Sequence, residues 1–103
     1  YLITARKEKF KELTINWLNH HQLPFDKLIM TSEKATSCAE NNIDIMVEDE
    51  PENCKSIAAC SKVLCMSYKY NEDLEGYKNI IRVSSWDEIY NIVLQYIDVE
   101  DVV

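Results

Sequence analysis

With 103 residues and 47% hydrophobic content, the chain has the size of one domain and enough apolar side chains to bury a real core. One glycine, Gly76, and two prolines exclude linkers, low-complexity tracts and collagen-like or disordered readings. A formal charge of −7, from 18 acidic against 11 basic residues, repels phosphate backbones and anionic lipid, so nucleic acid polymers and membrane surfaces are poor partners. A small anionic substrate is compatible with that field only where local cations and a metal reverse it.

The chain opens at Tyr1 without methionine, directly inside the apolar run Tyr1-Leu2-Ile3, and is therefore expected to continue upstream. Residues 1–5 read as a buried strand. Over residues 7–21, Phe10, Leu13, Trp17 and Leu18 recur at steps of three and four, which predicts a helix with a core stripe and a charged outer face. Leu23-Pro24 closes it, because the residue before proline is pushed out of the α region.

Residues 27–31 predict a second buried strand, with a short helix over 34–41. Residues 43–48 predict a third strand with acidic residues at its C-terminal end. Pro51 suits a first helical turn, and the helix continues to Cys60. Residues 62–67 predict a fourth strand and the polar stretch 68–78 a loop. A fifth strand follows over 79–83. Ser85-Trp86-Asp87-Glu88 has the form of a capping box, opening a helix whose buried face is Ile89, Val93, Tyr96 and Ile97. Residues 99–103 are expected to fray.

Strands alternating with helices at this spacing predict a single α/β domain over residues 1–103, a three-layer, Rossmann-like, mainly parallel sheet with helices on both faces. Cys38, Cys54, Cys60 and Cys65 form neither a C-x-x-C pair nor zinc-type clusters. They are read as buried reduced thiols of a cytoplasmic protein. No stretch approaches the ~20 apolar residues of a membrane span, and no signal-peptide pattern opens the chain.

In such sheets ligands bind at the carboxyl ends of the strands. Three of these ends carry unusual chemistry: Thr4-Ala5-Arg6, Ser32-Glu33-Lys34 and Glu48-Asp49-Glu50. They are expected to converge on one edge of the sheet. A hydroxyl and an ammonium suit phosphate oxygens, and paired carboxylates supply hard oxygen ligands for Mg²⁺.

The order apolar strand–Thr, then Lys before a helix, then apolar strand–acidic pair resembles motifs II, III and IV of the haloacid dehalogenase superfamily. The residues concerned are Tyr1-Leu2-Ile3-Thr4-Ala5-Arg6, Lys34, and Met46-Val47-Glu48-Asp49-Glu50-Pro51-Glu52-Asn53. The stretches Thr4-Ala5-Arg6, Thr14-Ile15-Asn16-Trp17-Leu18 and Phe25-Asp26-Lys27-Leu28-Ile29 are together similar to the bacterial 5′(3′)-deoxyribonucleotidase-like group. The resemblance implies a Mg²⁺-dependent phosphomonoesterase, 5′-nucleotidase-like, acting on a small phosphorylated substrate, with sugar phosphates and other monoesters left open beside nucleotides. It implies that Thr4, with Ala5 and Arg6, binds phosphoryl oxygens. Lys34 would neutralise nucleophile and phosphate, and Glu48 and Asp49 would hold Mg²⁺.

In that superfamily an aspartate of a D-x-D motif attacks phosphorus, and its aspartyl-phosphate is then hydrolysed. No D-x-D occurs in this sequence. The resemblance therefore implies a nucleophile upstream, a chain inactive by itself, and a sheet incomplete at its N-terminal strand. That strand would come from another piece of the same protein or from a partner, a second copy included. Two other readings stay open: an inactive binding or regulatory module of the same fold, and a segment of a multifunctional transferase. Plain alternatives also stand residue by residue. Arg6 reads equally as surface charge, and Glu48 and Asp49 as N-caps of the following helix.

Overall fold

The computed structural model describes residues 1–101, with side chains described to Ile97. They fall into two compact units, Tyr1–Asn42 and Ile43 onward.

In the first unit β1 (Leu2–Thr4) runs parallel to β2 (Leu28–Met30), with Leu2 opposite Leu28 and Thr4 opposite Met30. The connection is a 3-10 turn, Glu8–Phe10, and helix α1 (Lys11–His20); α2 (Lys34–Glu40) follows β2. The α-helix starts four residues later than the periodicity predicts. Lys7 is extended, and Phe10, at φ −97° and ψ 10°, separates the 3-10 turn from α1. The helix ends before Pro24 is reached. Gln22 turns left-handed at φ 55°, and the N–H groups of Gln22 and Leu23 return to the carbonyls of Asn19 and Leu18 at 3.1 and 3.0 Å. This is a Schellman closure, which satisfies two of the carbonyls a helix end leaves unpaired.

The predicted core stripe of α1 is largely not core. Leu18 is buried, but Phe10, Leu13 and Trp17 are 37%, 58% and 55% exposed. Trp17 instead lies 4.3 Å from the His21 ring and lines an open cavity of about 370 Å³ shared with Thr4 and Arg6.

The second unit holds β3 (Ile45–Glu48), α3 (Pro51–Ala58), β4 (Lys62–Met66), β5 (Ile80–Val83) and α4 (Trp86–Asp101). The sheet order is β3-β4-β5, all parallel, so the strands form one sheet in each unit, of two strands in the first and three in the second. Parallel strands alternating with helices are the α/β architecture that the sequence predicts. β4 is central, and Val63, Leu64 and Cys65 are all fully buried, as expected of a strand covered on both faces. Leu64, Val83 and Ile89 form the core cluster, with Ile45, Val47, Met66, Ile92 and Val93 packed around it.

Three further expectations need correction. Residues 68–78 are not plain loop: two 3-10 turns within Lys69–Leu74 meet at a kink where Asn71 leaves the helical region at φ −122° and ψ 15°, and Asn71 and Leu74 are buried. The box at α4 is split, because Ser85 Oγ accepts from Glu88 N–H at 3.2 Å while Glu88 returns to Ser84 N–H at 2.9 Å instead of to Ser85. Ile97 is 45% exposed, so the buried face of α4 is led by Ile89. The helix runs through Asp101 into the expected tail, of which residues 102–103 lie outside the described residues. Among the described residues, no helix is long and apolar enough to cross a membrane.

Candidate active site

In the first unit, parallel pairing puts the carboxyl ends of β1 and β2 side by side. Thr31 N–H donates to Thr4 O at 2.8 Å, extending the ladder just past both strands. The chain then turns sharply at each end by the same device: Arg6 N–H donates to Thr4 Oγ1 at 3.2 Å, and Glu33 N–H to Thr31 Oγ1 at 3.0 Å. Hydroxyls that hold a turn in this way still carry a hydrogen to donate, which is what a phosphoryl oxygen requires. Lys34 is the first residue of α2 and half-buried, so the structure brings the turn after β2 and the Thr4 turn to one edge of this unit. Ala5 and Arg6 are exposed, and the Arg6 guanidinium stands 5.3 Å from the Phe10 ring centroid, a cation–π contact at the surface.

In the second unit Glu48 ends β3 and is 8% exposed, with Asp49 next to it. The simple explanation for both carboxylates, capping of α3, belongs to another residue. Glu50 is the N-cap, and its carboxylate accepts from Glu52 N–H at 3.2 Å and Asn53 N–H at 2.7 Å, with Pro51 at the start of the helix. A cap of this kind contributes on the order of 1 kcal/mol. Glu48 Oε1 instead accepts the N–H groups of Asp49 and Glu50, at 3.0 and 3.2 Å. That folds the acidic turn back on the strand end.

Sequence reasoning missed the residues that hold Asp49. Tyr70 donates its hydroxyl to Asp49 Oδ2, and Asn71 Nδ2 donates to the Asp49 carbonyl at 2.9 Å. Tyr68 stacks on Tyr70 with centroids 5.3 Å apart and planes 5° from parallel. Arg82 of β5 reaches the same knot through Asn71 Oδ1, at 3.2 and 3.1 Å. No local periodicity marks these residues; only the two tyrosines in an otherwise charged stretch hint at them.

The bond to Asp49 leads the causes that push the Tyr70 phenol up to about 12 from its ordinary value of 10. The folded value lies above the unfolded one, so this bond's stabilisation is complete below about pH 10 and lost as pH climbs through about 12. In an ultraviolet titration of phenolate absorbance, Tyr70→Phe is expected to remove a late-titrating tyrosine. Unchanged curves would sink the assignment.

Cys54 and Cys65 lie near the acidic pair, and both are fully buried. Burial pushes both thiols above their ordinary value, and for Cys54 the neighbouring Cys65 and the Glu48 and Asp49 charges push the same way. Protonated and sealed, they are packing residues. The expectation of burial holds for Cys38, Cys54 and Cys65 but not for Cys60, which is exposed.

Glu48 and Asp49 offer hard carboxylate oxygens at a strand's carboxyl end, a donor set that fits Mg²⁺ in kind. No group of three or more His, Cys, Asp or Glu gathers for a metal among the described residues. Mg²⁺ commonly takes one or two carboxylates and completes its shell with water and substrate phosphate, so two are sufficient.

A family model described as 5′ nucleotidase, deoxy (pyrimidine), cytosolic type C protein matches residues 1–98. The chain is 32% identical over 96 residues to a nucleotidase of Clostridium acetobutylicum, covering 90% of this chain and 50% of that protein. It is 28% identical over 85 residues to a protein of Chlorobaculum tepidum that carries the provisional name 5′(3′)-deoxyribonucleotidase, covering 82% of this chain and 38% of that one. The chain thus spans about half the length, or less, of the curated relatives it matches. No solved structure matches it significantly.

Proposed function

Because the chain belongs to the family of cytosolic type C deoxy (pyrimidine) 5′-nucleotidases, within the haloacid dehalogenase superfamily, we propose that the protein carrying it hydrolyses nucleoside monophosphates with Mg²⁺ as cofactor. The observation that carries this reading is the pair Glu48 and Asp49, which ends a parallel strand and is not spent on capping α3, a task Glu50 performs.

The roles follow from the chemistry of each group. The Thr4 hydroxyl donates to a phosphoryl oxygen, and Ala5 and Arg6 extend that phosphate-binding turn. The Lys34 ammonium offsets negative charge gathering on the phosphoryl group as the ester bond breaks. Glu48 and Asp49 hold Mg²⁺. Bound there, the ion would act as a Lewis acid that polarises phosphoryl oxygens. The D-x-D aspartates of the superfamily are not among this chain's residues, and no step is assigned to them. The matching family's description as cytosolic supports a cytoplasmic setting.

The test is phosphate release from nucleoside monophosphates by the intact protein, with Mg²⁺ and with a chelator. Release is expected only with the metal, and Asp49→Asn should lower it on the order of 100-fold or more. Metal-independent release, or none from any nucleotide or other phosphate monoester, overturns the reading.

A further inference from the structure

Three polar atoms of Asp49 are each held by a different partner. Its N–H goes to Glu48 Oε1 at 3.0 Å, its carboxylate receives the Tyr70 hydroxyl, and its carbonyl receives Asn71 Nδ2 at 2.9 Å. Of these partners Asn71 is the most deeply buried, at 1% exposure against 8% for Glu48. It lies 22 residues along the chain from the residue it grips.

Asn71 also uses all its bonding capacity. Nδ2 faces two carbonyls, those of Asp49 and Met66, each at 2.9 Å. Oδ1 faces only donors: Tyr68 N–H at 3.0 Å and the Arg82 guanidinium at 3.2 and 3.1 Å. The amide orientation is thereby forced, since a flipped amide would set donors against donors and oxygen against oxygen. Arg82 is anchored in turn by the Tyr68 carbonyl at 3.1 Å and Glu75 at 3.4 Å. A fully satisfied buried network of this kind specifies one geometry, because any other arrangement strands polar groups away from water.

We propose that Asn71 is the positioning residue of the acidic turn: by tying the Asp49 carbonyl to the Met66 carbonyl at the end of β4, it fixes the direction in which Glu48 and Asp49 present their carboxylates. The part of this proposal that concerns Mg²⁺ rests on the metal role given above to those two residues. The positioning itself does not.

The test uses two isosteric variants of the chain. Asn71→Asp keeps the oxygen that faces Arg82 and Tyr68 but removes both Nδ2 donors. Asn79→Asp removes an equivalent amide-to-carbonyl bond, that to Ala58 at 3.0 Å, next to the amino end of β5, and serves as the control for general loss of stability. Amide hydrogen exchange is read at Asp49 and Glu50 relative to Leu64 in β4, and Mg²⁺ affinity by calorimetry well below the melting range.

Asn71→Asp is expected to raise the relative exchange at Asp49 and Glu50 about tenfold and to weaken Mg²⁺ binding about tenfold or more. Asn79→Asp should leave both unchanged. Equal effects of the two variants, or an unchanged exchange ratio in Asn71→Asp, overturn the proposal. If the wild-type chain does not bind Mg²⁺, or binds it equally with Glu48→Gln and Asp49→Asn, the metal reading falls and the exchange ratio alone decides the positioning role. If Asn71→Asp does not fold, the wild-type protein still decides. Its Asn71 Nδ2 protons are expected to exchange slowly, and rapid exchange there would overturn the proposal without any substitution.

Discussion

Leu64→Ala is expected to cost the chain about 2–5 kcal/mol, a large fraction of what holds a domain of this size together. Leu64 is fully buried on the central strand of the second unit, with Val83 and Ile89 as its core partners and Ile45, Val47, Met66, Ile92 and Val93 around them. Truncation to alanine removes the transfer free energy of the lost carbons. It also leaves a cavity that a strand paired on both edges cannot collapse to fill. Urea unfolding followed by far-ultraviolet circular dichroism measures the effect: the midpoint should fall with little change in slope. Leu13→Ala gives the contrast, since Leu13 belongs to the same predicted class of core leucine yet is 58% exposed, and its loss should stay within about 0.5 kcal/mol. Equal losses at the two positions would mean that the burial pattern is wrong.

Lys34→Met in the intact protein is expected to lower phosphate release by 10²–10³-fold, about 2.7–4 kcal/mol of transition-state stabilisation. The chain's formal charge of −7 repels a phosphate monoester, so a local cation has to offset it. Lys34 opens α2 directly after the turn that follows β2, at the carboxyl end of a parallel strand where such sheets bind ligands. Methionine keeps the length and much of the apolar stem while deleting the charge. The loss should therefore appear mainly in kcat, and Lys34→Arg should restore only part of it, because a planar guanidinium does not replace a compact ammonium. A change of less than about threefold would remove Lys34 from the reaction.

How far the residues alone could carry these conclusions differs from element to element. The βα alternation, the parallel pairing and the strand ends at Thr4 and Glu48 were legible because they depend on local properties: apolar runs, the punctuation of Pro51, and charge that stops a strand. The same local logic failed for α1. Its 3.6-residue stripe is real, but a stripe shows only which residues share a helix face. It does not show that another element covers them, and Phe10, Leu13 and Trp17 stay exposed.

Sequence by itself determined the class of the fold and the residue types at its strand ends, because periodicity and turn chemistry act over a few residues and leave a readable trace. Only the tertiary structure decided that Tyr70 and Asn71 grip Asp49 from more than 20 residues away, and that Arg82 closes the same knot through Asn71. Such assignments turn on which donor and acceptor meet once the chain has closed on itself. The polar segment around Asn71 reads as a loop until the strands beside it bury that side chain among two carbonyls and a guanidinium, where it has no alternative partner in water.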